Sequence, residues 1–471
     1  MDVTTSPYLT LPLAAETWST PALSAGRVVA ADRAGRVHAW DAKGRRVWSH
    51  DAGAEITASP TLTSLDGTAA VLICDHAGTF VALRLDTGQC LWRRSLGSKV
   101  RATAAVAEIH GETAIVLPVY GPRLVRLDAS GAIVYDRRLP KNAVYHRGRD
   151  CGAVSTPLVA DVDGCGAPEA VFGVRAQRLY CCDAASGDLR WFRTLRYDPD
   201  SSPTLCADAR GRPMLLVGGG EHTGGTGDNG LLALGPSNGR TLWRAGAGGG
   251  VDGAATVART AGGDAVAVFT SLGSGSVIAI GTNGAERWRV PFGPTPACVH
   301  DPICRVPGQP YFTGRAVCRS YTTPLVADLY GGGRPVAVAG SNNGALLAVD
   351  LASGVVRARV ETGGMVRGSP VLHDIDGDSR CELVVPSGNR VLVYRTSAPA
   401  EDSWPQTKGA PSHLGWRDRG PLAPAPGPPP RWVQTRLAWT ATARDAARYA
   451  AFQLERRLLH PLGVRIADHY Y

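Results

Sequence analysis

The sequence predicts an all-β chain built as an eight-bladed β-propeller, closed by an N-terminal strand and followed by a Pro-rich linker and a helix. Three observations carry that prediction. A glycine followed four residues later by an aromatic recurs at Gly44/Trp48, Gly88/Trp92, Gly131/Tyr135, Gly187/Trp191, Gly239/Trp243 and Gly284/Trp288. A step from a small, mostly polar residue to Pro or Ala opens an apolar strand eight times, with anchors at Pro21, Pro60, Ala104, Pro157, Pro203, Ala255, Pro324 and Pro370, between 39 and 69 residues apart. The 57 glycines suit many tight turns between short strands. Repetition of this kind means a solenoid, a propeller or an array, and it outranks the two or three domains that 471 residues would otherwise suggest.

Each module reads as four strands, a to d. In the fourth these are Ser155 to Ala160, Ala170 to Val174, Arg178 to Asp183 and Leu189 to Leu195, where alternation and β-branched content favour strand over helix. The seventh copy, "VDLASGVVRARV", keeps the Asp and Gly but has Ala358 where the Trp belongs. The eighth supplies "GSPVL", "CELVVPS" and "RVLVYRT" and then runs into Pro-rich sequence, so the N-terminal "SPYLTLPL" is expected to provide its fourth strand. Radial sheets leave only short, protected edges. The propeller is expected over residues 1–400, a Trp/Pro-rich segment and stiff linker over 401–430, and a helical extension over 431–471. In that extension Val433, Leu437, Ala441, Ala447, Ala451, Leu454 and Leu458 share one stripe. The stripe suits docking on the propeller; the rival is a partner groove or an anionic membrane surface, because Arg436, Arg444, Arg448, Arg456 and Arg457 occupy other faces.

Formal net charge is +9, but the arginines are scattered through every module and read as solvated blade edges. No nucleic-acid partner is expected, nor a membrane one, since nowhere do eighteen apolar residues run together. The N-terminus lacks the features of a signal peptide, so the expected location is cytoplasmic. Eleven cysteines without regular spacing do not make a disulfide framework.

The pattern G-x-x-x-A-x-D-x-x-T/S-G-x-x-x-W, seen as "GTFVALRLDTGQCLW" and "AQRLYCCDAASGDLRW", resembles the repeat of pyrroloquinoline-quinone (PQQ) type propellers. That family includes quinoprotein alcohol dehydrogenases and the propeller lipoprotein of outer-membrane assembly. The resemblance implies the fold strongly and the activity weakly, because one fold hosts unrelated functions. Those dehydrogenases resemble one another in a vicinal cysteine pair over the quinone. Here Cys181 and Cys182 fall within a strand, where neighbours point to opposite faces, which argues against PQQ. A second resemblance lies in "DIDGDSRCE", which places Asp374, Asp376, Asp378 and Glu382 as in the calcium loops of integrin-like FG-GAP repeats. "DVDGCGAPE" keeps Asp161, Asp163 and Glu169 but has Cys165, and "DLYGGGRPV" keeps only Asp328. A structural Ca²⁺ is expected at the first, less so at the second.

Three insertions, "PKNAVYHRGRDCGA", "GGGEHTGGTGDNG" and "FGPTPACVHDPICRVPGQPYFTGRAVCRS", fall in connections that share one face and bring His146, His222 and His300 to it. The residue three before each anchor is expected to ring the channel mouth on that face: Trp18, Thr57, Arg101, Val154, Asp200, Asp252, Tyr321 and Arg367. A small polar ligand would suit this mixture. The three histidines, Asp200, Asp252 and Tyr321 are its candidate catalytic groups, and Trp18, Arg101 and Arg367 its candidate binding groups. Cys298, His300, Cys304 and Cys318 could hold zinc or copper, although their spacing matches no compact metal motif. The sequence leaves three readings open: a small-molecule enzyme of unread reaction type, a protein- or peptide-binding scaffold, and an exported quinoprotein dehydrogenase.

Overall fold

The computed structural model describes residues 6–141, 152–220, 230–293 and 319–404. Their strands form eight four-stranded antiparallel sheets, each from consecutive strands except the last. Blade 1 comprises strands a to d at Ala22–Ser24, Arg27–Ala31, Arg36–Trp40 and Arg46–Asp51. Blade 4 comprises Leu158–Ala160, Glu169–Val174, Arg178–Asp183 and Leu189–Thr194, close to the bounds expected from its alternation. Blade 8 takes strands a to c from Val371–His373, Arg380–Ser387 and Arg390–Pro399, and its strand d is Leu9–Pro12. Leu9 pairs with Val393 and Pro12 with Arg390, so the N-terminal strand closes the ring. After blade 8 the chain makes one 3-10 turn, Ala400–Asp402, and Trp404 bridges back to Leu372 of strand a. The Pro-rich linker and the helical extension expected over 431–471 lie outside the described residues.

The hydrophobic core lies between blades. Strands b and c are buried on both faces, which is why they read as apolar runs such as "VAVAG". Leu72, Phe80 and Trp92 of blade 2 pack against Ile115, Leu117 and Val125 of blade 3. Cys181 belongs to the interface of blades 4 and 5 and Cys182 to that of blades 3 and 4, as alternation in one strand requires.

The Gly-to-aromatic spacing is an inter-blade lock. The indole N–H of Trp48 donates to the carbonyl of Leu85 at 2.9 Å, and its ring lies on the turn of the next blade, where a Cβ on Gly88 would stand 2.6 Å away. Gly88 also has φ +72°, so only glycine fits without strain. Trp92, Tyr135, Trp191, Trp243 and Trp288 repeat the contact one blade onward. Ala358 now has a reason. Blade 8 receives its strand d from the chain start, so it has no c-to-d turn on which a blade 7 Trp could dock. On the other side of the closure, Leu9 and Leu11 take the place of a Trp against the Gly44 turn.

The residue before each anchor forms a second, inner lock. The backbone N–H of Thr20 donates to the Ser59 hydroxyl, that of Ser59 to Thr103, Thr156 to Ser202, Ala254 to Thr323, Thr323 to Ser369, and Ser369 to Thr20, at 2.9–3.0 Å. The last bond spans the closure between blades 8 and 1. Blade 6 carries Ala254 at this position and offers no hydroxyl to Ser202. Buried N–H groups at the inner edge of strand a have no sheet partner, and a side-chain oxygen from the next blade supplies one.

Candidate functional site

The backbone at the start of each strand a meets the loop that leaves strand b in a repeated register. The N–H of Arg33 donates to Glu16, His76 to Glu55, Tyr120 to Lys99, Arg175 to Gly152, Leu272 to Gly250, Asn342 to Arg319 and Gly388 to Met365, each at 2.8–3.2 Å. Every carbonyl in that series lies two residues before a position of the expected ring. The b-to-c loops therefore share a face with Trp18, Thr57, Arg101, Asp252, Tyr321 and Arg367, and they add Arg33, His76, Tyr120, Arg175 and Asn342 to it.

Several of the charges at this mouth are paired within and between neighbouring blades. Arg175 Nε and Nη2 donate to the Asp200 carboxylate at 2.9–3.2 Å. Burial works against the Arg175 charge, but Asp200, with Asp252 and Tyr120, outweighs it and raises the guanidinium pKa. Asp200 is thus the acceptor of an ion pair from a b-to-c loop.

On blades 1 to 3 a second network forms. Arg33 Nε donates to Glu55 Oε1 at 2.6 Å; Glu55 Oε2 lies 3.1 Å from His76 Nδ1, and His76 Nε2 lies 2.7 Å from the Thr57 hydroxyl. Against its partial burial, Arg33 holds the Glu55 carboxyl below its usual range. Burial and the nearby Lys99 push the His76 imidazole below its usual value, so it is neutral near pH 7.

Across blades 7, 8 and 1 the mouth is aromatic. The Arg367 guanidinium stands 4.0 Å from the Trp18 ring centroid and 4.6 Å from that of Tyr321, and Arg33 approaches the same Trp18 ring to 4.1 Å. Arg367 is 8 % exposed and Arg319 only 5 %. His146, His222, His300, Cys298, Cys304 and Cys318 lie outside the described residues.

The acidic turns between strands a and b are well formed. In blade 8, Asp374 accepts from the N–H groups of Gly377 and Ser379, Asp378 from Arg380, and Glu382 from Ile375. Oxygens of Asp374, Asp376 and Glu382 lie within 4.8 Å of one another. Glu382 is 2 % exposed. Burial, then Asp376, Asp378 and Asp374, push its carboxyl up to about 7.

Blade 4 copies this turn, with Asp161 accepting from Gly164 and Gly166 and Glu169 from Val162. There Arg190 occupies the centre, 2.9 Å from Glu169, 2.9 Å from Asp183 and 3.7 Å from Asp163. A guanidinium already supplies a cation to Glu169 and Asp183 in blade 4, and beside it ligand atoms of Asp161, Asp163 and Cys165 lie within 4.8 Å of one another. In blade 8, Tyr8 precedes Leu9 as Arg190 precedes Trp191, and Arg395, opposite Glu382 in the sheet, stands 4.8 Å from the Tyr8 ring; burial and the Glu382 and Asp376 carboxylates raise the Tyr8 hydroxyl pKa against the opposing effect of Arg395. Among the described residues no cation lies within ion-pair distance of the blade 8 acids.

Solved structures share this architecture at low identity. The chain superimposes on BamB from Moraxella catarrhalis with a TM-score of 0.56 at 19% identity, covering 83% of this chain and 97% of that one. For a europium-containing methanol dehydrogenase the values are 0.58 and 11%, covering 81% and 85%. For the quinohemoprotein alcohol dehydrogenase from Comamonas testosteroni they are 0.57 and 12%, covering 83% and 76%. At such identities the likeness extends to the fold. No curated protein sequence matches the chain. The sequence matches the family described as outer membrane protein assembly factor BamB over residues 2–138 and 123–322, more than half its length, and the chain belongs to that family.

Proposed function

We propose that the chain is a binding propeller whose channel mouth, on the face of the b-to-c loops, is the recognition surface for a protein partner. The observation that carries this reading is that the mouth combines charges fixed in local pairs, Arg175 with Asp200 and Arg33 with Glu55, with an exposed-edged aromatic wall of Trp18 and Tyr321. Such a surface offers a preset pattern of charge and flat apolar area, which is what recognition needs. Membership in a family named for an assembly factor supports binding over catalysis. A photo-crosslinking residue placed at Thr57 or Tyr321 should capture a discrete partner in cells, whereas one at Val355, exposed on the rim, should not. Crosslinks confined to the rim would overturn the assignment.

A catalytic reading rests on one arrangement, the hydrogen-bonded chain Thr57–His76–Glu55, in which a neutral imidazole stands between a hydroxyl and a carboxylate. On this reading a phosphonylating probe labels Thr57 and the label is lost in His76→Ala; a wild-type protein that resists the probe removes it.

At the a-to-b turn of blade 8 we propose a structural Ca²⁺ held by Asp374, Asp376, Asp378 and Glu382. Support comes from the comparison with blade 4, where the same turn holds an arginine. Carboxylates gathered at a turn where no described cation comes within ion-pair distance suit a hard divalent ion.

A further inference from the structure

We infer that the mouth contains a carboxylate-binding site built on Arg367 and Arg319, within the binding surface proposed above and resting on that reading. Both side chains are more than nine-tenths buried. No described residue supplies an acceptor to any N–H of either guanidinium. Arg367 Nε and Arg319 Nη1 are fully enclosed without a hydrogen-bond partner, and neither residue forms an ion pair among the described residues. Arg101 Nε, on blade 3 of the same face, is likewise enclosed without a partner, whereas other arginines of the mouth are paired. Arg33 and Arg175, on the same face, each hold a carboxylate at 2.6–3.2 Å. A buried guanidinium without an anion is costly, and aromatic faces offset only part of that cost.

The geometry selects a flat anion. The Arg367 guanidinium carbon lies 4.0 Å from the Trp18 centroid and 4.6 Å from that of Tyr321, so two aromatic rings lie against the group and leave little room beside it for a bulky anion. A carboxylate pairs with a guanidinium in its own plane, through two parallel hydrogen bonds. A flat carboxylate therefore suits Arg367 better than a tetrahedral anion. Arg319 lies at the start of strand a in the adjacent blade 7, two residues before Tyr321, with its backbone carbonyl bonded to Asn342 at the mouth. It brings a second positive charge to the same sector. Asp252, on the adjacent blade 6, borders this sector, whereas Asp200 on blade 5 is held by Arg175.

The carboxylate could belong to a small dicarboxylic acid or to an acidic peptide of the partner, and titration calorimetry of the full chain at constant ionic strength separates these sources. Succinate and an N-acetylated Asp-Glu dipeptide amide are the two carboxylate probes, and inorganic phosphate is the tetrahedral control. At least one carboxylate probe should bind saturably and more tightly than phosphate. Arg367→Met should weaken it at least tenfold, while retaining the wild-type melting temperature because the thioether still fills the slot between the rings. Arg319→Met should weaken it less. Binding of succinate and peptide alike points to the carboxylate itself, and binding of the peptide alone places it in the partner. Failure of both carboxylates to bind, preference for phosphate, or unchanged binding in the Arg319→Met/Arg367→Met double variant would overturn the site. Crosslinking at Thr57 or Tyr321 that persists in the double variant would leave the mouth as the partner surface and remove only its anion chemistry.

Discussion

Replacing Glu382 by Gln should stabilise the protein at pH 8 in the absence of calcium, and the size of the gain follows from the turn that holds it. The carboxyl is 2 % exposed and faces three aspartates, and its pKa is pushed from 4.5 up to about 7. A folded-state pKa above the unfolded value means that the folded chain binds the proton more tightly. The associated stability is complete below pH ~4.5 and is lost as pH rises through about 7. At 1.36 kcal/mol per unit, the ionised carboxylate costs the fold up to ~3 kcal/mol at pH 8. Glutamine removes the charge and retains an oxygen for the Ile375 N–H. Chelator-treated Glu382→Gln should therefore melt a few degrees above wild type at pH 8 and level with it at pH 4. Calcium reverses the order when it is well above its Kd: an ion at a thousand times its Kd adds ~4.1 kcal/mol to wild type, and nothing to Glu382→Gln or Asp376→Asn. Differential scanning calorimetry at the two pH values, with and without calcium, reads all four states. A Glu382→Gln variant that melts below wild type at pH 8 would refute the repulsion argument, and a wild type indifferent to calcium would refute the ion.

Arg190→Met in blade 4 should cost ~3–5 kcal/mol, because it leaves Glu169, Asp163 and Asp183 without their shared cation; equilibrium denaturation measures it, and part of the loss should return on adding calcium. Thr20→Val removes the acceptor for the Ser369 N–H at the closure and should lower stability by about 1–3 kcal/mol, without changing the spectroscopic signature of the fold. Deleting residues 1–13 strips blade 8 of its fourth strand and exposes the edge of Arg390–Pro399; light scattering should detect association, and a truncated chain that melts like the full one would count against closure by Leu9–Pro12.

The fold was legible because the chemistry of each blade repeats in the chain. The Gly-to-aromatic spacing announces a contact made to the next blade, and even its absence at Ala358 marks the place where the ring is joined. The small-polar residue before each anchor was visible as punctuation, but its partner lies 39 to 69 residues or, for Ser369 and Thr20, 349 residues away, so its role needed the structure. The mouth was half legible. Strand a placed Asp200, Asp252 and Arg367 in a ring, whereas Arg33, His76, Tyr120 and Arg175 follow strand b at a position with no common residue type. Their signal was positional: each stands three residues before the start of strand c. Reading across the ring at that position would have found Arg175 as the partner of Asp200. The acidic turns carried the opposite ambiguity, since "DVDGCGAPE" and "DIDGDSRCE" differ little, and what separates them is Arg190 or Tyr8 on strand d.

The distribution of unpaired charge then separates stability from recognition in this molecule. Indole-to-carbonyl and amide-to-hydroxyl bonds join successive blades and involve neutral groups, so they hold the ring together with little dependence on salt or pH. Charge that is fully paired, as in Arg175–Asp200 and Arg190–Glu169, adds rigidity at fixed places. Arg319 and Arg367 belong to neither class: they are buried on the one face where loops and channel meet, and the aromatic rings against Arg367 do not neutralise it. If they served only packing, apolar residues of the same volume would do so at lower cost. Their retained charge is accounted for by an anion that arrives from outside the chain, and that is why the binding and stability readouts of Arg367→Met should part company.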